Sequence, residues 1–358
     1  MKQSMYLPKV ILFSIFLWGL FLSGCHNGPT DAGGGGKKSG TIKIGLSLDT
    51  LKEERWQRDR DLFVAKAKGL GADVLVQSAN GDDAVQVQQA ENLLTQGVDV
   101  LVVVPHNGEV AASIVESAKK QNVPVISYDR LIKNSDVDLY LSFDNEKVGE
   151  LQAKYLFDRA PKGNYILIGG APTDNNALLL RKGQMKVLQP AVDKGDVKIV
   201  ANPFTRDWLA SEALRNTENA LTQNNNNVVA VVASNDSTAG GVVQALEGQG
   251  LAGKVLVSGQ DADLAALQRV AEGKQTMTVY KPIKPLAEAA ADAAVKLAHK
   301  EKIDTKAVIN NGKKDIPSIL LDPVVVDKEN LPTTVIKDGF QTVDAVYKNV
   351  PPDKRPKS

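Results

Sequence analysis

The sequence has a single cysteine, Cys25, and only three histidines among its 358 residues. The histidines are His26, His106 and His299, which lie far apart in the chain. A disulfide framework needs paired cysteines, and a structural zinc site needs clustered cysteine and histidine ligands. We therefore expect neither of them, and no metal ion or other cofactor.

An excess of charge of one sign is also missing, because 43 basic residues are balanced by 42 acidic ones for a net charge of +1. A nucleic-acid partner requires a concentrated positive field, so we expect none. The sequence contains no G-x-G-x-x-G motif after a strand and no P-loop, which disfavours nucleotide binding.

The N-terminal segment carries an apolar run at residues 10–22, preceded by Lys2 and Lys9. This run is short for a membrane span but suits the core of a signal peptide, here residues 1–24. The run ends in LSGC at residues 22–25, which resembles the lipobox of bacterial lipoproteins and implies that Cys25 is lipidated. Residues 25–40, with four consecutive glycines, then read as a flexible lipidated tether. We expect an extracytoplasmic protein anchored to the cell membrane, in the periplasm or at the cell surface; an ordinary secretory signal with an incidental cysteine is the alternative.

Apolar, strand-like runs alternate with helix-like segments along most of the remaining chain. The strand-like runs are almost continuously apolar, as expected for parallel strands that are covered on both faces. Such alternation predicts right-handed βαβ units and an α/β fold with doubly wound sheets. Two sets of units are expected, with strands at residues 42–49, 73–77, 98–104, 123–127 and 139–143, and then at 165–168, 197–200, 228–233, 255–258 and 276–280.

Polar side chains follow several of these strands at the point where each strand ends. Asp129 and Arg130 follow residues 123–127, Asn235 follows residues 228–233, and Asp261 and Lys281 follow the two strands after that. Ligands of open parallel sheets bind beyond the carboxyl ends of the strands. Converging polar groups at these ends indicate one pocket for a small, hydroxyl-rich ligand.

Longer runs of sequence resemble the ribose/galactose-type periplasmic binding proteins, the sugar-binding proteins of bacterial ABC importers. Within that group the similarity is greatest to D-xylose-binding proteins. It extends from about residue 42 to about residue 340 and is densest in ERWQRDRD (54–61), VQSANG (76–81), YDR (128–130), SFDNEKVGELQAK (142–154), DNNA (174–177), VVASND (231–236), SGQDAD (258–263) and TMTVYKP (276–282).

This resemblance implies the type I periplasmic binding protein fold, in which two Rossmann-like lobes are joined by a three-segment hinge. The first lobe would comprise residues 41–143 and 282–316, and the second residues 144–281 and 317–345. The crossovers would lie near residues 143–144, 281–282 and 316–321, and residues 346–358 would form a disordered tail. The family also implies a monomer that closes around D-xylose or a related monosaccharide and delivers it to the membrane subunits of an ABC permease.

The same resemblance assigns a set of ligand-binding residues. Sugar hydroxyls donate and accept hydrogen bonds, so carboxylates, amides and cations can all engage them. The C–H face of a pyranose can stack on a flat aromatic ring. The implied residues are Arg55, Asp129 and Arg130 from the first lobe and Asp174, Asn176, Trp208, Asn235, Asp261 and Lys281 from the second lobe and hinge, with Trp56 and Gln260 as secondary members.

Each residue also has a purely structural interpretation. Arg55 lies in a run of charged residues, which is usually a solvated helix face. Asp129 and Arg130 could pair only with each other, and Trp208 could be a packing residue at a helix start. Lys281 could be an exposed lysine at a strand end.

Three functions are compatible with such a pocket. The first is a binding module that captures a sugar by hinge closure. The second is a glycosidase that uses two of Asp129, Asp174 and Asp261, which would have to flank a scissile bond. The third is a sensory receptor for a chemotaxis or kinase partner. The amides and cations interleaved with the carboxylates favour binding over hydrolysis.

Overall fold

The structure is a computed structural model that describes residues 40–356. The expected signal peptide, the lipidation site Cys25 and all but the last residue of the tether lie outside the described residues. The strands are β1 (Ile42–Leu48), β2 (Ala72–Ser78), β3 (Val100–Val103), β4 (Val125–Tyr128), β5 (Leu139–Phe143), β6 (Gly163–Ile168), β7 (Val197–Ala201), β8 (Ala230–Ala233), β9 (Leu256–Val257), β10 (Met277–Tyr280), β11 (Ala307–Asn310), β12 (Asp315–Leu321) and β13 (Val324–Asp327). The helices are α1 (Glu54–Gly69), α2 (Asp83–Thr95), α3 (Ala112–Lys120), α4 (Asn145–Phe157), α5 (Asn175–Asp193), α6 (Ala210–Gln223), α7 (Asp236–Gly248), α8 (Leu264–Glu272), α9 (Ile283–Ala298) and α10 (Val343–Val346).

The first lobe is built on a seven-stranded sheet with the order β11-β12-β5-β4-β3-β1-β2. All neighbours are parallel except β11 and β12. One face packs against α1 and α9 through residues such as Phe63 and Leu286. The other face packs against α2 and α3 through Leu93 and Ile114. Coverage on both faces explains why the strands are nearly continuous apolar runs.

The second lobe repeats this plan with a parallel sheet in the order β7-β6-β8-β9. The antiparallel pair β10 and β13 joins it through a single bridge between Gln260 and Val279. Helices α4 and α5 cover one face, and α6 and α7 cover the other. Both lobes therefore contain a doubly wound α/β sheet, and the expected fold class is confirmed.

The chain passes between the lobes at three places, as expected for a three-segment hinge. The first two passages follow β5 and β10. The third prediction was wrong, because β12 stays in the first sheet to its end, where Leu321 pairs with Phe143. The third passage therefore follows Leu321 and includes Pro323, and residues 317–321 belong to the first lobe rather than the second. A ladder paired along its whole length leaves no hinge inside it.

The expectation of a disordered tail from residue 346 was also wrong for the residues described. Val346, Tyr347 and Val350 are buried in an apolar cluster with α8 and β13. The side chain of Asn349 donates a hydrogen bond to Glu272. Apolar burial of this kind offsets the entropy of ordering the segment.

Among residues 40–356, no helix combines the length and the apolar character needed to cross a bilayer.

Candidate functional site

The carboxyl ends of the two sheets face each other across a cavity of about 330 Å³. In each lobe the strand order reverses beside the first strand, β1 or β6, and the crevice beyond the strand ends at such a point is the usual ligand site of an open α/β sheet. The lining residues are Glu53, Arg55, Trp56, Asp129, Arg130, Asp174, Asn176, Trp208, Asn235, Gln260, Asp261 and Lys281.

All eleven ligand-binding residues implied by the sequence lie in this one cavity. Each of them is buried, including Arg55, Arg130 and Lys281, which are 3%, 5% and 2% exposed. Arg55 therefore does not lie on a solvated helix face, and Lys281 is not an exposed lysine at a strand end. Buried cations of this kind require carboxylate partners.

Four charged side chains form a ring of alternating sign that joins the two lobes and the hinge. The guanidinium of Arg55 lies 2.9 Å from Asp129 Oδ2 and 3.4 Å from Asp261 Oδ1. The ammonium of Lys281 lies 3.8 Å from the same oxygen of Asp129 and 3.3 Å from that of Asp261. Each carboxylate of the ring has two cations beside it, and this pairing offsets the cost of burying the charges.

Arg130 bridges the lobes in a second group of charges. Its Nη1 lies 2.6 Å from Asp49 Oδ2 in the first lobe, and its Nε lies 2.9 Å from Asp174 Oδ2 in the second. Asp129 and Arg130 thus use separate partners and do not pair with each other. The ring of Trp56 lies beside both guanidiniums, with centroid distances of 4.3 Å to Arg55 and 5.2 Å to Arg130. Cation–π contacts of this kind fix both arginines against one rigid surface.

A further carboxylate, which does not line the cavity, also holds Arg55 in place. Asp59, one turn further along α1, accepts from Arg55 Nε at 3.2 Å. The hydroxyl of Tyr128 donates to the same carboxylate. Burial opposes the charge of Arg55, but Asp129, Asp59 and Asp261 outweigh it and hold the pKa of Arg55 well above its ordinary value.

Two carboxylates of the cavity are shifted in opposite directions. Burial opposes ionisation of Asp129, but the charges of Arg55, Lys281 and Arg130 outweigh it and hold its pKa below the ordinary value. At Asp174, burial is only partly offset by Arg130, so its pKa lies above the ordinary value. The side chain of Asp174 also accepts from the backbone N–H of Asn176 and caps α5. Asn176 in turn donates to the Asp129 carboxylate at 3.1 Å, which ties the second lobe to the first.

Three of the lining residues have left-handed backbone conformations that are unusual for residues other than glycine. The φ angles are +59° at Asp129, +56° at Trp208 and +99° at Asp261. Such strain persists only where the surroundings over-determine the conformation, and it concentrates at ligand sites.

Four buried polar atoms of the lining residues have no hydrogen-bond partner in the described part of the chain. Within residues 40–356, the buried atoms that line the cavity and lack a hydrogen-bond partner are Glu53 Oε2, Asn176 Oδ1, Gln260 Oε1 and Trp208 Nε1. An unpaired buried polar atom is costly and uncommon, so four around one cavity indicate a polar ligand. Three of these atoms are acceptors and one is a donor, which suits a ligand rich in hydroxyl hydrogens.

Sequence reasoning missed Glu53 in the lining and Asp49 and Asp59 behind it. Asp49 directly follows β1, so the strand-end pattern that identified Asp129 and Asn235 would have found it. Glu53 and Asp59 lie in the charged run around Arg55, where no pattern separates a buried acid from a solvated one. Asp59 is buried through its contacts with Arg55 and Tyr128, which the sequence pattern does not reveal.

Comparisons with known proteins agree with this geometry. Residues 44–302 match the family model of the periplasmic binding protein domain. The chain is 59% identical to the D-xylose-binding periplasmic protein of Haemophilus influenzae, covering 86% of this chain and 92% of that protein. It is 57% identical to the D-xylose-binding periplasmic protein of Escherichia coli, with 84% and 91% covered.

Among solved structures, the chain resembles a carbohydrate transporter solute-binding protein from Chloroflexus aurantiacus in complex with D-glucose. That similarity has a TM-score of 0.80 at 32% identity and covers 86% of this chain and 98% of the other. An ABC transporter periplasmic solute-binding protein from Actinobacillus succinogenes with bound D-allose gives a TM-score of 0.71 at 31% identity, with 81% and 98% covered.

Proposed function

Because this chain belongs to the periplasmic binding protein family, we propose that it is an extracytoplasmic receptor that captures D-xylose and delivers it to an ABC permease. Relatives at 57–59% identity are D-xylose-binding proteins. The observation that carries the proposal is the set of unpartnered buried atoms around the cavity: Glu53 Oε2, Asn176 Oδ1, Gln260 Oε1 and Trp208 Nε1. A monosaccharide supplies several hydroxyl groups that pair with both kinds of atom.

Capture depends on closure, because both lobes contribute to the lining. The Arg55–Asp129–Lys281–Asp261 ring and the Asp49–Arg130–Asp174 bridge form only when the lobes are together. A ligand that satisfies polar atoms from both sides stabilises the closed state relative to the open one. The permease then distinguishes the loaded receptor by its closed shape, and the receptor acts as a monomer.

The choice of D-xylose follows from the identity of the relatives and from a lining that combines the Trp208 ring with charged and amide groups. D-xylopyranose carries all its hydroxyls equatorially, which leaves apolar faces for Trp208 and directs the hydroxyls to the surrounding charges and amides. Ribose has an axial hydroxyl, and glucose adds an exocyclic CH₂OH that needs extra room. A misplaced hydroxyl leaves a buried group unpaired at a cost of about 1–3 kcal/mol.

The direct test is calorimetric titration of the purified protein with xylose, glucose and ribose. We expect xylose to bind best, glucose more weakly by at least about tenfold, and ribose hardly at all. Glucose or ribose binding as tightly as xylose would contradict the assignment of xylose and leave a general sugar receptor.

A glycosidase is disfavoured by the same charges. Hydrolysis needs one carboxyl group that remains protonated and a second that is ionised. Asp129 and Asp261 each have two cations beside them. Both oxygens of Asp174 already face donors, Arg130 Nε and the Asn176 N–H, so neither is free to present a proton to a leaving group. Incubation with aryl β-xylosides should release no phenol, and bound xylose should be recovered unchanged.

Membrane attachment through Cys25 completes the proposal. Two acyl chains anchor a protein stably, whereas a single chain binds reversibly. Cys25→Ala should therefore remain unprocessed or leave the membrane fraction. Unchanged processing and retention of this variant would contradict lipid anchoring without affecting the sugar proposal.

A further inference from the structure

The Asp207–Trp208 segment has an unusual backbone for two consecutive residues that are not glycine. Both are left-handed, with φ of +50° and +56°. This conformation is unfavourable by roughly 1–2 kcal/mol for each such residue. Trp208 contributes the indole that lines the cavity. The strained segment therefore sets the position of the aromatic surface.

The second lobe, to which the segment belongs, supports it only in part. Gly170 lies directly against the Trp208 ring, where an added Cβ would come within 2.1 Å of the indole. The hydroxyl of Ser237 lies 3.5 Å from the Trp208 carbonyl, which is long for a hydrogen bond. Gly170 limits where the ring can go, but neither residue binds Asp207.

The first lobe supplies the shortest contacts to Asp207, whose carboxylate also lies 3.7 Å from Arg206 Nε in its own lobe. Lys52 Nζ donates to the Asp207 carbonyl oxygen at 2.8 Å. His106 Nε2 lies 3.3 Å from Asp207 Oδ1, and His106 Nδ1 lies 2.8 Å from Asp83 Oδ1 in its own lobe. Lys52 follows β1 and His106 follows β3, so both contacts cross the cleft and require the lobes to be together.

We propose that Lys52 and His106 form a latch that grips Asp207 when the lobes close and thereby positions Trp208 against the sugar. The inference rests on the proposed function, because it concerns how that same site is completed. Neither Lys52 nor His106 lines the cavity. Both are positioning residues that act through Asp207. Sugar binding stabilises the closed state and with it the contacts of the latch.

The latch should respond to pH through His106. The charged groups that face it are Asp49, Asp83 and Asp207, while Lys52, Arg130 and Arg206 lie beside those acids. Both ring nitrogens can donate to carboxylates only in the imidazolium form. Burial opposes this charge, but the three acids outweigh it and raise the pKa of His106 above its ordinary value.

The sign of the effect follows from which contacts depend on closure. Asp83 and Asp49 lie in the same lobe as His106 and stay near it in the open state, whereas Asp207 joins only in the closed one. The closed state therefore holds the proton more tightly. Affinity for sugar should be highest below the open-state pKa of His106 and should fall as the pH rises through the closed-state pKa.

The experiment compares His106→Gln and Lys52→Met with wild type and with His299→Gln, a matched control at an exposed histidine. Xylose is titrated calorimetrically at about pH 6 and about pH 8.5, in buffers with different ionisation enthalpies so that proton uptake can be counted. Wild type and His299→Gln should bind about three- to tenfold more tightly at the lower pH, with net proton uptake. His106→Gln should lose that advantage and most of the proton uptake. Lys52→Met should weaken binding at both pH values.

Two outcomes would overturn the latch. In the first, His106→Gln keeps the affinity, pH profile and proton uptake of wild type. In the second, it loses affinity equally at both pH values together with thermal stability, which indicates a structural role. If wild type binds none of xylose, glucose and ribose, the proposed function itself fails. If wild type binds but His106→Gln is unchanged, only the latch is wrong.

Discussion

The cavity has two walls of different chemistry. The charged wall consists of Arg55, Asp129 and Arg130 in the first lobe, and every one of these side chains is ion-paired. The neutral wall consists of Trp208, Asn235 and Gln260 in the second lobe, which also supplies Asp261 and Asp174 as partners of Arg55 and Arg130. There, Trp208 Nε1 and Gln260 Oε1 have no partner among the described residues.

The charged wall serves the stability of the fold, and the neutral wall serves hydrogen bonding to the ligand. Buried charges cannot be left without partners. Arg55 and Arg130 each keep a partner in their own lobe, Asp129 and Asp49, so the charged wall is held by the fold even before the lobes close. Neutral polar atoms cost less to leave unpaired, so the neutral wall can reserve its hydrogen bonds for a ligand. Substitutions in the charged wall should therefore affect folding and binding together, whereas substitutions in the neutral wall should affect binding alone.

The largest effect is expected for Arg55→Met. This change leaves Asp59, Asp129 and Asp261 without their shared cation, and breaking a buried pair in this way costs about 3–5 kcal/mol. Urea unfolding should show that loss, and calorimetry should detect no xylose binding. Arg60→Met is the matched control on α1, because within residues 40–356 Arg60 pairs only with the exposed Asp61. If Arg55→Met retained wild-type stability, the charged wall would not be tied to the fold as described.

Gly170→Ala tests the neutral wall by displacing the Trp208 ring, against which Gly170 packs. A Cβ at this position would come within 2.1 Å of the Trp208 ring, so the indole must leave its present position in the lining. Overpacking of this kind costs about 1–3 kcal/mol, and we expect roughly a tenfold to hundredfold loss of xylose affinity by calorimetry. Gly248→Ala is the control, since a Cβ there meets no neighbouring atom within 4 Å. Equal affinity in the two variants would show that the ring position does not matter for binding.

Gln260→Ala should have a smaller and more selective effect. Gln260 Oε1 has no hydrogen-bond partner within residues 40–356, so its removal costs the fold little. Loss of one hydrogen bond to a sugar hydroxyl should weaken binding by about tenfold, or about 1.4 kcal/mol. The free energy of unfolding should stay within about 0.5 kcal/mol of wild type. A stability loss as large as that of Arg55→Met would erase the distinction between the walls.

The sequence predicts which residues meet at the cavity better than it predicts how they pair. Strand-end position alone locates Asp129, Asn235 and Asp261, because parallel strands bring their carboxyl ends to one edge. Arg55 and Asp174 came from the family resemblance. The pairing of Arg130 with Asp49 and Asp174 across the cleft was not predictable, because it depends on how two lobes approach each other. The third passage between the lobes was predicted at the wrong position for a similar reason, because its position depends on the pairing of β12 with Phe143.

Asp263 and Asp129 are carboxylates with opposite surroundings, because Asp263 faces other acids and Asp129 faces cations. Burial raises the pKa of Asp263 well above its ordinary value, and the neighbouring acids Asp236, Asp261 and Glu54 raise it further. Asp129 has cations beside it, and its pKa is lowered. Because the folded pKa of Asp263 lies above the unfolded one, its ionisation destabilises the fold. The loss in the free energy of unfolding grows as the pH rises from the unfolded pKa to the folded pKa of Asp263, and it is constant above the folded pKa.

Asp263→Asn should therefore stabilise the protein at neutral pH, by about 1–3 °C in Tm, which is the smallest effect proposed here. Asparagine cannot ionise, so it removes the repulsion from the neighbouring acids. The gain should shrink as the pH falls toward the unfolded pKa and vanish below it, where Asp263 is protonated in both states. Thermal unfolding of both proteins at about pH 7.5 and about pH 4 measures the difference. A lower Tm for the variant at neutral pH, or a gain that persists in acid, would mean that the acids around Asp263 do not repel one another enough to weaken the fold.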